Sequence, residues 1–173
     1  YSDRSMLLYG QSLNRQGKPS EAREVLTSFA KAFPQSSLLA ETRLAVARTH
    51  VMDGSWVSSI LEYDWWVTNY PAHKALSQAE FDRAWLNHQA GNSAKAFQLF
   101  TNYIERFPTN HLAPLAQKWI ADFHFQSGKF AEAEQVYRRL FENTNLLELA
   151  GDLSWEARLS AGRSAFFRQN HAE

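Results

Sequence analysis

A period of 37 residues runs through this chain. Gly17, Gly54, Gly91 and Gly128 each stand 37 residues after the one before, and three of the five prolines keep the same step behind an aromatic, as Phe33-Pro34, Tyr70-Pro71 and Phe107-Pro108. With only seven glycines and five prolines in 173 residues, the coincidence means an internal repeat, and a repeat settles the architecture before any single residue is read. Each unit is then one supersecondary motif stabilised by its neighbours. The functional question moves from a catalytic pocket to a surface.

The residues around each glycine read as two helices joined by a tight turn. In the fourth unit Leu115, Ala116, Trp119, Ile120, Phe123 and Phe125 precede Gly128, and Ala133, Val136, Tyr137, Leu140 and Phe141 follow it at helical spacing. Glycine supplies the permissive backbone at the end of the first helix. Ser20, Ser55 and either Asn92 or Ser93 are candidate N-caps for the second helices, and Ser36 and Asn110 for the helices that follow the prolines. The proline stops the second helix, and Pro114 falls near a first turn, where its missing donor costs least.

Second helices superpose by position. Five residues past each glycine stand Ala22, Ser59, Ala96 and Ala133; nine past, Leu26, Tyr63, Phe100 and Tyr137; twelve past, Phe29, Trp66, Tyr103 and Leu140. Seven before each glycine stand Gly10, Ala47, Ala84 and Ala121, small where paired helices cross. No alternating strand pattern or hairpin dipeptide appears, so the expected fold is all-α. Trp56, Trp66 and Trp119 fall on core rows, whereas Trp65, one step off the row, is expected to face outward.

Composition narrows the function. Eighteen basic and eighteen acidic residues give no net charge, so no overall field draws in nucleic acid, and nucleic acid is excluded as the expected partner. No apolar run approaches the roughly 20 residues that a spanning helix needs. The absence of cysteine removes disulfides, thiolate metal sites and cysteine nucleophiles. The chain opens on Tyr1 without methionine and stops at Glu173 in mid-pattern, which reads as a fragment or a processed protein.

The crossing residue, the Ala-x3-aromatic of Ala96-x3-Phe100 and Ala133-x3-Tyr137, and the closing Pro108 resemble the tetratricopeptide repeat family. The usual unit has about 34 residues, and the extra three here lengthen each first helix by almost a turn. The longer unit, with the segments from Phe107 to Pro114 and from Gly128 to Ala133, resembles repeats of bacterial envelope proteins, among them the periplasmic coordinator of the Tol–Pal system and the lipoprotein of outer-membrane protein assembly. In the first units the tryptophan and leucine that the family carries early in the first helix are absent. The resemblance implies a right-handed solenoid of antiparallel helical hairpins over residues 1–173, with repeats at about 1–34, 35–71, 72–108 and 109–145 and a partial fifth at 152–173. It also implies a periplasmic or outer-membrane location, with a lipid anchor or further domains outside this stretch.

The frame slips after the fourth unit. Asn170 aligns with Gly17 in similar surroundings, a step of 42 from Gly128, so five residues are inserted around Asn143 to Asp152. A fifth first helix is expected near Ser154 to Gln169. An unpartnered repeat helix bares an apolar face, which calls either for one further helix or for this helix to serve as the cap.

Catalytic chemistry is sparse. The histidines at 50, 73, 88, 111, 124 and 171 have no ligand spacing, and His50 and His124 sit two units apart at one repeat position. The carboxylates of Glu21, Glu24, Glu132 and Glu134 read as solvated helix faces, and no nucleophile elbow, phosphate loop or dinucleotide turn occurs. The expectation is no enzyme, no metal and no cofactor.

In the family that this chain resembles, first helices line a concave groove. Positions 13, 10, 6, 3 and 2 before each glycine resemble its lining and share one helix face. The groove expected to hold a protein or peptide partner is Arg48, Phe81, Trp85, His88, Gln89, Lys118 and Asp122, a mix of apolar anchors and charge. The alternative is that Phe81 and Trp85 pack between neighbouring helices in a shifted register. Two functions are compatible with this pattern: a non-catalytic scaffold in a cell-envelope assembly, or the helical recognition arm of a larger enzyme acting on cell-wall or exported polysaccharide.

Overall fold

The computed structural model describes residues 2–142 and 151–170, and every regular element among them is an α-helix. They are α1 (Asp3–Arg15), α2 (Pro19–Ala32), α3 (Leu39–Met52), α4 (Trp56–Asn69), α5 (Leu76–Gln89), α6 (Ser93–Arg106), α7 (Ala113–Gln126), α8 (Phe130–Glu142) and α9 (Leu153–Asn170). The all-α expectation holds. Residues Asn143–Ala150, where most of the five-residue insertion falls, and His171–Glu173 lie outside the described residues. The chain packs as two compact units, residues 1–92 and 93–173.

One turn recurs four times. Gly17, Gly54, Gly91 and Gly128 have φ of 75°, 73°, 79° and 73°, a region that costs a side chain about 1 kcal/mol or more. Each donates its N–H three residues back, and the next residue donates five back: Lys18 to Leu13, Ser55 to His50, Asn92 to Asn87 and Lys129 to His124, at 2.8–3.0 Å. This is the paired closure that satisfies the last carbonyls of a helix. After the second helices, Phe33, Tyr70 and Phe107 donate to Phe29, Trp66 and Tyr103 at 2.8–2.9 Å, and the proline behind each ends the run.

The caps differ from expectation. Ser20 lies inside α2, whose N-cap is Lys18 with Pro19 opening the helix. Ser55 does hold the N-cap position of α4, but its side chain makes no cap bond. Ser36 and Asn110 sit a turn upstream: the Ser36 Oγ takes the N–H of Leu38 at 3.1 Å and the Asn110 Oδ1 that of Leu112 at 2.9 Å. His73 does the same work, its Nδ1 accepting from Ala75 at 3.1 Å. Residues 36, 73 and 110 are again one period apart, so the short side-chain acceptor is a repeat position that a histidine can also fill.

In the first unit α1 pairs with α2 and α3 with α4, and α2 packs on α3 as α4 does on α5. Its core includes Leu7, Leu13, Ala22, Leu26, Phe29, Ala45 and Val46. At Gly10 a Cβ would stand 2.6 Å from Leu26, so α1 and α2 cross too closely for a side chain there. At the matching crossing of α3 and α4, the buried Ser59 hydroxyl donates to the Ala47 carbonyl at 3.0 Å. Trp66 is fully buried, with its indole N–H on the Ala40 carbonyl at 2.8 Å.

In the second unit α7 pairs with α8, α6 packs on α7, and α9 lies against α8 and touches α7. Ala121, Ala133, Tyr137, Leu140, Ala157 and Ala161 form its core. Trp119 is only half-buried, a correction to its core reading; it layers between Phe100 and Phe123, at 4.7 and 5.6 Å between ring centres. In the first unit Trp56 is half-buried too, while Trp65 faces outward as expected, with the Arg43 guanidinium 4.6 Å over its ring. The α9 helix covers the expected fifth position. Its small residues Ser154, Ala157, Ala161 and Ser164 are buried, and Trp155, Leu159 and Phe166 are exposed.

Candidate functional site

The residues expected to line the groove divide between the two units. On the first unit Arg48 comes from α3 and Phe81, Trp85, His88 and Gln89 from α5. Trp85 is 44% exposed and meets His88 edge-on at 5.5 Å, as two residues one short of a helical turn apart should. Phe81 and His88 are half-buried, whereas Arg48 and Gln89 are exposed. Trp85 is therefore a surface aromatic, while Phe81 beside it is partly withdrawn.

Behind that row lies a carboxylate that the groove positions did not include. Asp82 on α5 accepts the Tyr63 hydroxyl at 3.1 Å through one oxygen and the Gln78 amide at 2.8 Å through the other. Burial pushes its carboxyl above the ordinary range; these two bonds and the nearby Arg48 charge pull the other way. Burial and the Asp82 charge likewise raise the Tyr63 phenol. Arg48 thus serves the buried Tyr63 and the half-buried Asp82 as well as facing solvent. Asp82 stands one residue past Phe81, off the lining face, and the repeat offers no period partner that would have marked it.

On the second unit Lys118 and Asp122 come together as expected. They stand one turn apart on α7, with Nζ and Oδ2 3.0 Å apart. With Phe125 and Gln126 of the same face they line a cleft of about 360 Å³ that Tyr137 closes from α8 and Ser160 and Arg163 close from α9. The Tyr137 hydroxyl donates to the other Asp122 oxygen at 2.5 Å, and burial followed by that bond raises the phenol. Lys118 also lies 3.8 Å from Glu156 on α9. The Arg163 guanidinium lies 5.5 Å from the Phe125 ring centre.

Ser160 and Arg163 lie outside the positions that the repeat frame marks. A frame that slips after the fourth unit gives no fixed offset to count from, whereas Tyr137 was visible but as a packing residue. His50 and His124 are depressed in pKa, chiefly by burial, and His124 packs edge-on to Phe97 at 5.2 Å. Among the described residues no group of three or more His, Cys, Asp or Glu could hold a metal ion. No helix among them is long and apolar enough to cross a membrane.

Family models described as tetratricopeptide repeat match residues 4–36 and 81–146. No curated protein sequence matches the chain. Solved structures do. A tetratricopeptide repeat protein from Parabacteroides merdae, 16% identical, superposes with a TM-score of 0.76 over 98% of this chain and 61% of its own, so this chain spans about three fifths of that protein. MamA of AMB-1 is 13% identical over 93% of this chain and 90% of its own, at a TM-score of 0.61. MamA of MSR-1 is 14% identical over 98% of both chains, at 0.58. At such identities the likeness speaks for the fold alone.

Proposed function

This chain is built of tetratricopeptide repeats, and from that premise we propose that it is a non-catalytic scaffold whose first-helix faces bind a protein or peptide partner. Repeats of this kind generally serve as protein-binding surfaces, which supports the reading. The observation that carries it is the cleft of the second unit, where Lys118, Asp122 and Phe125 of one helix face are presented around open space on a rigid hairpin. Charged and aromatic side chains held on fixed helices recognise a partner without needing to rearrange. Trp85 on the first unit, exposed and held against His88, is the matching apolar anchor. The partner belongs to a bacterial cell-envelope assembly in the periplasm or at the outer membrane, a placement resting on the likeness of the 37-residue units to envelope repeats.

Capture of proteins from a bacterial envelope extract tests the reading, with wild type, Trp85→Ala and Lys118→Ala as baits of equal thermal stability. Loss of a captured protein from either variant is expected, since truncating an interface anchor typically costs about 2 kcal/mol or more of affinity. Identical capture by all three baits would remove both faces from the proposal.

A further inference from the structure

We propose that the outward ridge of α4, made of Val57, Leu61 and Trp65, is a self-association surface that seats the same ridge of a second copy of this chain. The three side chains follow one another at four-residue steps along one helix face and are 70%, 64% and 43% exposed. Exposure is what the repeat dictates at these positions, but apolar side chains are not. Three, seven and eleven residues past the glycine, the first hairpin carries Ser20, Glu24 and Ser28, the third Ala94, Gln98 and Asn102, and the fourth Ala131, Gln135 and Arg139, all exposed. The packing of a hairpin therefore does not account for Val57, Leu61 and Trp65. Large apolar side chains lined up in water mark a contact surface. This one lies on a second helix, and so goes beyond the first-helix faces of the scaffold reading.

Charge selects the occupant. No lysine or arginine stands on α4, so the helix lacks the basic flank with which a surface helix holds an anionic membrane. Its acids are already paired inside the chain, Glu62 with Arg43 at 2.6 Å and Asp64 with Arg83 at 3.2 Å. A ridge whose bordering charges are neutralised within the chain suits an equally neutral one, because apposing two copies sets no uncompensated like charges face to face. Shape agrees. Across a two-fold axis through Leu61 the two helices run antiparallel, Leu61 meets its own mate, and Val57, the smallest of the three, falls beside the partner's Trp65, the largest. The exposed apolar area is on the order of a few hundred Å² per copy, against about 800 Å² a side for a standard interface. Association is therefore weak and reversible.

Sedimentation of the 173-residue chain over a range of concentrations tests this, with the wild type expected to pass from monomer to dimer. Leu61→Glu sets two carboxylates against each other on the axis and should keep the chain monomeric throughout. Its melting temperature at dilute concentration should stay put, because the side chain is exposed. Trp65→Ala should raise the dissociation constant about tenfold or more, and Trp85→Ala should leave it unchanged. Because the chain has no cysteine, Leu61→Cys supplies a single thiol. Oxidised with diamide, it should form a cross-linked dimer, since two side chains that meet on a two-fold axis come within disulfide reach, whereas Glu24→Cys, at the same position of the first hairpin, should not. A dimer that survives Leu61→Glu, or that cross-links equally through either cysteine, would overturn the proposal. So would a wild type that stays monomeric at every concentration, and flotation of that monomer with phosphatidylglycerol vesicles, abolished by Leu61→Glu, would hand the ridge to a membrane instead.

Discussion

Tyr63 and Tyr137 occupy the same repeat position, nine residues past their glycines, and both give their hydroxyl to an aspartate. In the first unit the aspartate is Asp82, on the first helix of the following hairpin. Tyr63 is buried and Asp82 half-buried, and the pair ties α4 to α5. In the second unit it is Asp122, on the first helix of the tyrosine's own hairpin, and the pair forms the wall of an open cleft. One packing position is thus a lock between helices in one place and the wall of a cleft in the other. The difference lies in where the carboxylate stands, nine residues before Gly91 for Asp82 and six before Gly128 for Asp122, a change of nearly one helical turn.

The largest expected effect asks whether the first unit is the more tightly sealed. Trp66 and Leu140 share a repeat position and are both fully buried, but only Trp66 also bonds a backbone carbonyl. Trp66→Ala should lose roughly 3–5 kcal/mol of stability and Leu140→Ala roughly 2–5, with Trp66→Ala the more costly in chemical denaturation. The reverse order would mean that the hydrogen bond and the larger ring add nothing to the first unit.

Next come the hydroxyls themselves. Tyr63→Phe leaves the half-buried Asp82 with one partner fewer and should cost roughly 1–3 kcal/mol. Tyr137→Phe should cost about 1 kcal/mol or less, because Asp122 is about a third exposed and keeps Lys118. Equal losses in thermal unfolding would erase the distinction between lock and cleft.

A smaller effect is read in pH. Burial holds the Asp82 carboxyl above its ordinary value of 3.8, so between those two values the folded state keeps a proton that the unfolded chain has released. Its contribution to stability therefore falls as pH rises through that window, and the cost persists above it. Asp53, held down by its bond to Arg23, has the opposite sign: its stabilisation is in place above 3.8 and is lost as pH falls through its lowered value. Just above pH 3.8, where the lowered Asp53 has already given up its proton, the unfolding free energy of Asp82→Asn minus that of wild type should grow as pH rises. A constant difference would show that Asp82 is better solvated than its burial suggests.

The smallest effect belongs to Trp85. As an exposed aromatic it should change stability by about 0.5 kcal/mol or less on truncation to alanine, and a loss approaching that of Trp66→Ala in the same melting experiment would return it to the core.

What the sequence determined by itself was everything that depends on local backbone geometry and repetition. The four glycines at positive φ, the proline stops, the crossing residues Gly10, Ala47, Ala84 and Ala121, and the buried rows from Ala22 to Leu140 follow from the period, because one turn and one crossing solved once are reused at the same spacing. Lys118 and Asp122 were legible for the same reason: one turn apart on one helix, they must share a face. Only the tertiary structure decided which groups meet across helices. That Asp82 lies under Tyr63, that Arg163 of α9 comes to rest on Phe125, that His73 replaces a serine and an asparagine as acceptor, and that Trp119 stays half-exposed depend on how far one helix slides and turns against the next. That displacement is set by the sum of many side-chain contacts, each too weak to read alone, and a shift of one residue along a helix turns a side chain by more than a quarter of the way around it.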